Sequence, residues 1–188
     1  MSIVKYMKPK TAIVLLTLVL VLFPVLKNDA THTKMAKELL KVGDAAPDFT
    51  VEKQDGTQFH LHDYLGKKNI VLYFYPRDES GGCTKEACSF RDNYDVFKTT
   101  GAEVVGINSQ SVESHKKFAE HHHLPFILLS DKGSKVQQLY GVPNKYIFVT
   151  GRVTFVIDKQ GVIRDVFSSL TDAEKHVTEA LAILKGLN

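Results

Sequence analysis

Cysteine is scarce in this chain: there are two, Cys83 and Cys88, in 188 residues. Two are too few for a disulfide scaffold, and an isolated Cys-x4-Cys lacks the further Cys or His pair that a structural zinc site needs. The Cys-x-x-Cys spacing of thioredoxin-type redox motifs is also missing. No sign of charge dominates, with 24 Lys and Arg against 21 Asp and Glu for a net +3. The lysines are scattered and not gathered into one basic block, which argues against nucleic-acid binding. There is no internal repeat and no low-complexity tract. What is present is 44% hydrophobic residues, enough for one globular domain with a proper core.

The only long charge-free run is at the amino terminus. Lys5, Lys8 and Lys10 precede Thr11 to Leu26, TAIVLLTLVLVLFPVL. As a helix it would measure about 24 Å, a little short of a ~30 Å hydrocarbon core and longer than most signal-peptide cores. It reads as a membrane-targeting element. Asn28-Asp29-Ala30 lacks the small residue expected three back from a cleavage point, which favours an uncleaved anchor over a cleaved signal peptide. Lys27, Lys34, Lys37 and Lys41 offset the leading lysines and blur the orientation, with an extracytoplasmic domain as the expectation. Residues 1–41 are thus a basic, hydrophobic anchor or signal segment plus linker, and residues 42–188 the folded domain.

Within that domain, Phe49 and Val51 before Asp55-Gly56, and Phe59 and Leu61 after it, predict a leading β-hairpin. Ile70 to Tyr75 is continuously apolar, as in a central strand covered on both faces. Ala87, Phe90, Tyr94 and Phe97 recur at helical spacing and predict a helix over 84–100 that stops at Gly101. A strand over 103–107, a helix over 112–122 ended before Pro125, and a strand over 126–129 follow. A second hairpin joins 152–158 to 162–167 across Lys159-Gln160-Gly161. The last helix opens on a capping box, Thr171-Asp-Ala-Glu174, and buries Val177, Ala180, Leu181, Leu184 and Leu187. The alternation predicts an α/β fold: a mixed central sheet with helices on both faces.

The two cysteines lie just beyond the buried strand, in Pro76-Arg-Asp-Glu-Ser80-Gly-Gly-Cys83-Thr-Lys-Glu-Ala-Cys88. A cysteine that enters a helix after a glycine turn meets the positive end of the helix dipole and unpaired backbone N–H groups, which favour thiolate over thiol. That is a setting for a reactive sulfur.

Proline, three residues, threonine or serine, two residues and cysteine is the peroxiredoxin signature, and Pro76 to Cys83 matches it. Cys83 to Asp92, Ser111-Val-Glu-Ser-His-Lys-Lys-Phe118, Leu124-Pro-Phe and Gly151-Arg-Val-Thr-Phe-Val-Ile-Asp158 extend the match. Over residues 42 to 187 the chain resembles the Q-type, bacterioferritin-comigratory peroxiredoxins. The resemblance implies a thioredoxin-like fold and a thiol-dependent peroxidase acting on hydrogen peroxide and organic hydroperoxides. It also implies a thioredoxin or similar dithiol reductant, no metal, haem or flavin cofactor, and a monomer. Under it Cys83 is the peroxide-attacking thiol and Ser80 supplies a hydroxyl near the sulfur. Pro76 shields the sulfur from water, and Arg152 holds charge from a distant strand. Serine and glycine at 80 and 81, where the family often has threonine and proline, keep the hydroxyl but loosen the loop.

Attack on peroxide leaves a sulfenic acid, which condenses with a nearby thiol, and Cys88 is the only candidate in the chain. Five residues along an ideal helix separate Cα atoms by about 8.6 Å. A disulfide needs ~4.4 to 6.8 Å, so the helix start must unwind before Cys83 and Cys88 can join. Two other readings compete: a membrane-tethered thiol–disulfide oxidoreductase, and a copper-binding thioredoxin-like protein, which typically carries Cys-x-x-x-Cys. Arg91, Tyr73 and Tyr75 read as structural. Neighbouring side chains of the triplet His121-His-His123 point in different directions on a helix and cannot all grip one ion, so the triplet reads as a solvated helix end.

Overall fold

The computed structural model describes residues 38–146 and 149–187. The anchor expectation over 11–26 lies outside the described residues; among these, no helix is long and apolar enough to cross a membrane.

Strands β1 (Thr50–Lys53) and β2 (Gln58–His60) form the leading hairpin. Its turn depends on Gly56, at φ 83°, and on Asp55, whose Oδ1 accepts from the Thr57 amide at 2.9 Å. β3 (Asn69–Phe74), β4 (Ala102–Asn108) and β5 (Ile127–Ser130) are parallel neighbours. β6 (Asn144–Tyr146) and β7 (Val149–Thr150) make a separate two-stranded ribbon. β8 (Val153–Ile157) and β9 (Ile163–Ser168) are the second hairpin. The main sheet has seven strands in the order β2-β1-β5-β4-β3-β8-β9, and β3 sits between parallel β4 and antiparallel β8. This is the mixed sheet the sequence predicts.

Strand alternation divides the core in two. Val71, Tyr73 and Tyr75 point to the face covered by α1 (Gly81–Asp92), α2 (Tyr94–Thr99), α3 (Val112–His122) and α5 (Ala173–Lys185). Ile70, Leu72 and Phe74 point to the other, where Phe49, Phe59, Leu61, Tyr140 and Val136 of the short α4 (Lys135–Leu139) close over them, with Leu39 and Leu40 packed alongside. Helices cover both faces, but unequally.

Two local details differ from the sequence expectation. The helix over 84–100 is two helices, because Asn93 turns its side chain back to the Ser89 carbonyl at 2.9 Å and leaves helical backbone angles at φ −106°, ψ 7°. The apolar stripe continues across the break. The capping box does not form: α5 starts at Ala173 with Asp172 as N-cap, and the Asp172 amide donates to Ser169 Oγ at 3.1 Å instead.

Gly106 of β4 lies opposite Tyr73 in the β3–β4 register. A Cβ there would stand 2.6 Å from Tyr73 Cζ and 2.8 Å from Leu128 Cδ2, so the tyrosine ring occupies the space a side chain would need. Gly106→Ala should therefore destabilise the fold by about 1–3 kcal/mol, as overpacking does. A lower urea midpoint with an unchanged slope checks this.

Candidate active site

β3 ends at Phe74, and the chain then passes through Tyr75, Pro76 and a turn at Asp78-Glu79 into α1. Asp78 anchors this turn. Its side chain is buried, and its carboxylate accepts from Tyr75 Oη at 2.8 Å, Asn108 Nδ2 at 2.9 Å and Ser114 Oγ at 2.6 Å. His115 Nδ1 lies 2.9 Å from Asp78 Oδ2, and since a carboxylate only accepts, the imidazole carries its proton there. The Asp78 amide in turn donates to Gln110 Oε1 at 2.6 Å. Burial works to raise the Asp78 pKa, but hydrogen bonds from His115, Ser114 and Tyr75 overcome it and hold the carboxyl below its ordinary value. Tyr75 thus does more than fill the strand: it ties β3 to the turn.

Ser80 is the N-cap of α1, in extended conformation, and its hydroxyl donates to the Arg77 carbonyl at 3.1 Å. Gly81 and Gly82 form the first turn, and Cys83 follows with its side chain buried, among N–H groups that have no partner within the helix. Arg152 arrives from the start of β8. Its Nη2 points at Cys83 Sγ at 3.5 Å, while Nη1 donates to the Gly82 carbonyl at 3.1 Å and to Glu86 Oε2 at 2.5 Å. The fit is tight, since a Cβ on Gly82 would be 3.1 Å from Arg152 Nη2. The structure brings Cys83, Ser80 and Arg152 to one place, with Pro76 half-buried in the same turn. Cys88 lies further along α1, half-buried, and both thiols are free. Arg91 donates from Nη1 to the His122 carbonyl at 2.8 Å and so joins α1 to the end of α3.

Two residues that sequence reasoning passed over complete the site. Glu86 is one helical turn after Cys83, on the same face, and is fully buried. That i, i+3 relation was the available signal. His176 of α5 is also fully buried. Its Nε2 donates to the Ser169 carbonyl at 2.9 Å, so Nδ1 is the bare nitrogen and accepts from Thr154 Oγ1 at 2.8 Å. Burial lowers the His176 pKa to about 4, which keeps it neutral. Burial also pushes Glu86 up to about 8, against the pull of Arg152. With Oε2 committed to Arg152, the carboxyl proton belongs on Oε1, which has no hydrogen-bond partner and lies 3.7 Å from His176 Nδ1. A carboxyl that holds its proton more readily than usual cancels less of the guanidinium charge beside the sulfur.

Together the fold and this sulfur define a class, the thioredoxin-like oxidoreductases that work through a thiol. Residues 42–166 match the AhpC/TSA family. Chloroplastic peroxiredoxin Q of Sedum lineare is 46% identical over 164 residues, covering 86% of this chain and 84% of its own. Its counterpart in Triticum aestivum is 44% identical over 168 residues, covering 88% and 76%. Among solved structures, peroxidoxin BcpB of Mycobacterium tuberculosis superposes with a TM-score of 0.75 at 38% identity, over 79% of this chain and 99% of that one. The bacterioferritin comigratory protein of Xanthomonas campestris, studied for alkyl peroxide reduction, gives 0.70 at 27% identity, over 80% and 99%. The chain belongs to the AhpC/TSA family as a Q-type peroxiredoxin, a thioredoxin-dependent peroxidase.

The Glu86 proton gives the site a pH signature. The native state keeps that proton up to about 8, whereas the unfolded carboxyl releases it near its ordinary 4.5. Between these values the native state binds more protons, so stability falls as pH rises. His176, neutral in the fold down to about 4 against an ordinary 6.5, has the opposite effect but only below 6.5. In a Cys83→Ser background, which removes the thiol's own titration, stability should drop by about 2 kcal/mol from pH 6.5 to 8. Glu86→Gln should flatten that slope, as read by urea unfolding at the two pH values.

Proposed function

We propose that the protein reduces hydrogen peroxide and organic hydroperoxides by attack of Cys83 on the O–O bond. The observation that carries this reading is the Arg152 Nη2–Cys83 Sγ contact at 3.5 Å on a buried helix start. Sγ of the thiolate takes the proximal oxygen, the O–O bond breaks, and the departing oxygen leaves as water or an alcohol after gaining a proton. Arg152 meets the charge on sulfur and on the oxygens as it moves, since its donors are fixed in a plane and stay ionised. Ser80 turns its hydroxyl from the Arg77 carbonyl to the peroxide, and Pro76 keeps bulk water off the sulfur. Alkyl peroxide reduction in the Xanthomonas campestris relative supports organic substrates.

Cys83 is then a sulfenic acid. The Cys88 thiolate attacks its sulfur, hydroxide leaves and is protonated to water, and a Cys83–Cys88 disulfide forms. Both residues belong to the continuous helix α1, about 8.6 Å apart at Cα by helix geometry, so the first turn has to open for closure. A thioredoxin-like dithiol reduces the opened disulfide by exchange. The relatives named chloroplastic are organelle proteins, and the apolar run over 11–26 acts here as a targeting or tethering element. Protease protection of the full chain on isolated membranes would locate the domain.

Cys83→Ser should abolish peroxide turnover with a thioredoxin system. Cys88→Ser should still consume about one peroxide per chain without reductant, because the first step needs a single thiol. Failure of that burst would reverse the two roles. Amide exchange over 84–88 should quicken in the oxidised form relative to the reduced one, and equal protection would rule out the opening step.

A further inference from the structure

The histidine triplet at the end of α3 is not simply a solvated helix terminus. His121 Nδ1 lies 3.0 Å from Glu79 Oε1, and His122 Nε2 lies 2.9 Å from Glu79 Oε2. Adjacent residues on a helix diverge, yet these two converge because His121 presents its near nitrogen and His122 its far one to a carboxylate that approaches from the side. His123 is excluded, since it is the left-handed C-cap at φ 51°. The three donor atoms all lie within 4.8 Å of one another.

We propose that Glu79, His121 and His122 form a binding site for a divalent transition-metal ion of the zinc type, and that the ion ties the active-site turn to the end of α3. Two imidazoles and a carboxylate suit zinc and its neighbours, whereas calcium and magnesium prefer all-oxygen sets. Metal–ligand bonds of ~2.0–2.2 Å in a tetrahedron put donor atoms about 3.3 Å apart, near the two His–carboxylate spacings of 3.0 and 2.9 Å, with all three donors already within 4.8 Å. The fourth position faces solvent, as His121 and Glu79 are exposed. A cation at this point also meets the negative end of the α3 dipole. The frame is partly set in advance: the His122 ring packs edge-on against Phe118 at 5.1 Å, and Arg91, whose charge is met by Asp92 at 2.8 Å, holds the His122 carbonyl. Glu79 itself sits in the left-handed region at φ 56°, a conformation that needs support from its contacts.

Glu79 precedes Ser80, the N-cap of α1. An ion bridging residue 79 to α3 therefore restrains the segment that must open for Cys88 to reach Cys83. This consequence rests on the proposed mechanism, whereas the binding site does not. Zinc titration by calorimetry on the full chain carrying Cys83→Ser and Cys88→Ser, which removes thiol ligands, tests the site. One ion per chain is expected, with affinity weakened by about tenfold or more in His121→Ala and in Glu79→Gln. No uptake with a Kd below about 1 mM, or affinity in both variants equal to that of the chain with the site intact, overturns it. Stopped-flow on the thiol-intact chain tests the tie: zinc should slow disulfide closure but not peroxide consumption, and Glu79→Gln should make closure insensitive to zinc. Equal slowing in Glu79→Gln overturns the tie, and the calorimetry separately decides the site.

Discussion

Arg152 is a cation held almost wholly out of water, 3% exposed, and the active-site end of the molecule is organised around satisfying it. Removing a guanidinium from solvent costs several kcal/mol unless partners surround it. Here the partners are the Gly82 carbonyl, the Glu86 carboxyl and the Cys83 sulfur, all from the first turn and a half of α1. The arginine therefore does two jobs at once. It sets where α1 begins relative to β8, and it delivers a fixed positive group to the Cys83 sulfur. Its demand also explains why Glu86 is tolerated in a dry site, and why Gly82 has no side chain: a Cβ would crowd the guanidinium.

This arrangement is sealed from behind. Glu86 faces His176, whose Nδ1 lies 3.7 Å away and accepts from Thr154 Oγ1, and burial keeps the imidazole neutral against the pull of its Ser169 hydrogen bond. The cation nearest the sulfur on that side is Arg152, which together with the helix start sets the positive field there. Removing either buried partner would leave Arg152 or Glu86 exposed to the penalty that the pair now shares.

Strand and hairpin positions were legible in the sequence because their signals are local. The Asp55-Gly56 turn, the unbroken apolar β3 and the hairpin around Gln160-Gly161 each follow from contiguous residues. Cys83, Ser80 and Arg152 were legible through spaced motifs. Glu86 and His176 were not, since a glutamate in an amphipathic helix and a histidine in a terminal one look like surface residues until the helices pack. The same holds for Asp78, whose value as an anchor comes from Asn108, Ser114 and His115 on other elements. The break at Asn93 was hidden because the hydrophobic period runs through it, and the capping box failed because the helix starts one residue later, with Asp172 as N-cap, so Thr171 and Glu174 do not stand at the N-cap and N3 positions.

The turn before Cys83 is gripped from both ends. Asp78 is locked into a buried network with β3, β4 and α3, while its neighbour Glu79 is held only at the surface, by two histidines. A buried network has one well-satisfied arrangement and releases with difficulty. Exposed contacts form and break at little cost and respond to solutes. The stretch from Glu79 to Cys83, with two glycines and a positive-φ glutamate, is the softer part of the turn, and under the proposed disulfide step it is where α1 opens. Contacts at that surface change without disturbing Asp78, which keeps the rest of the site in place.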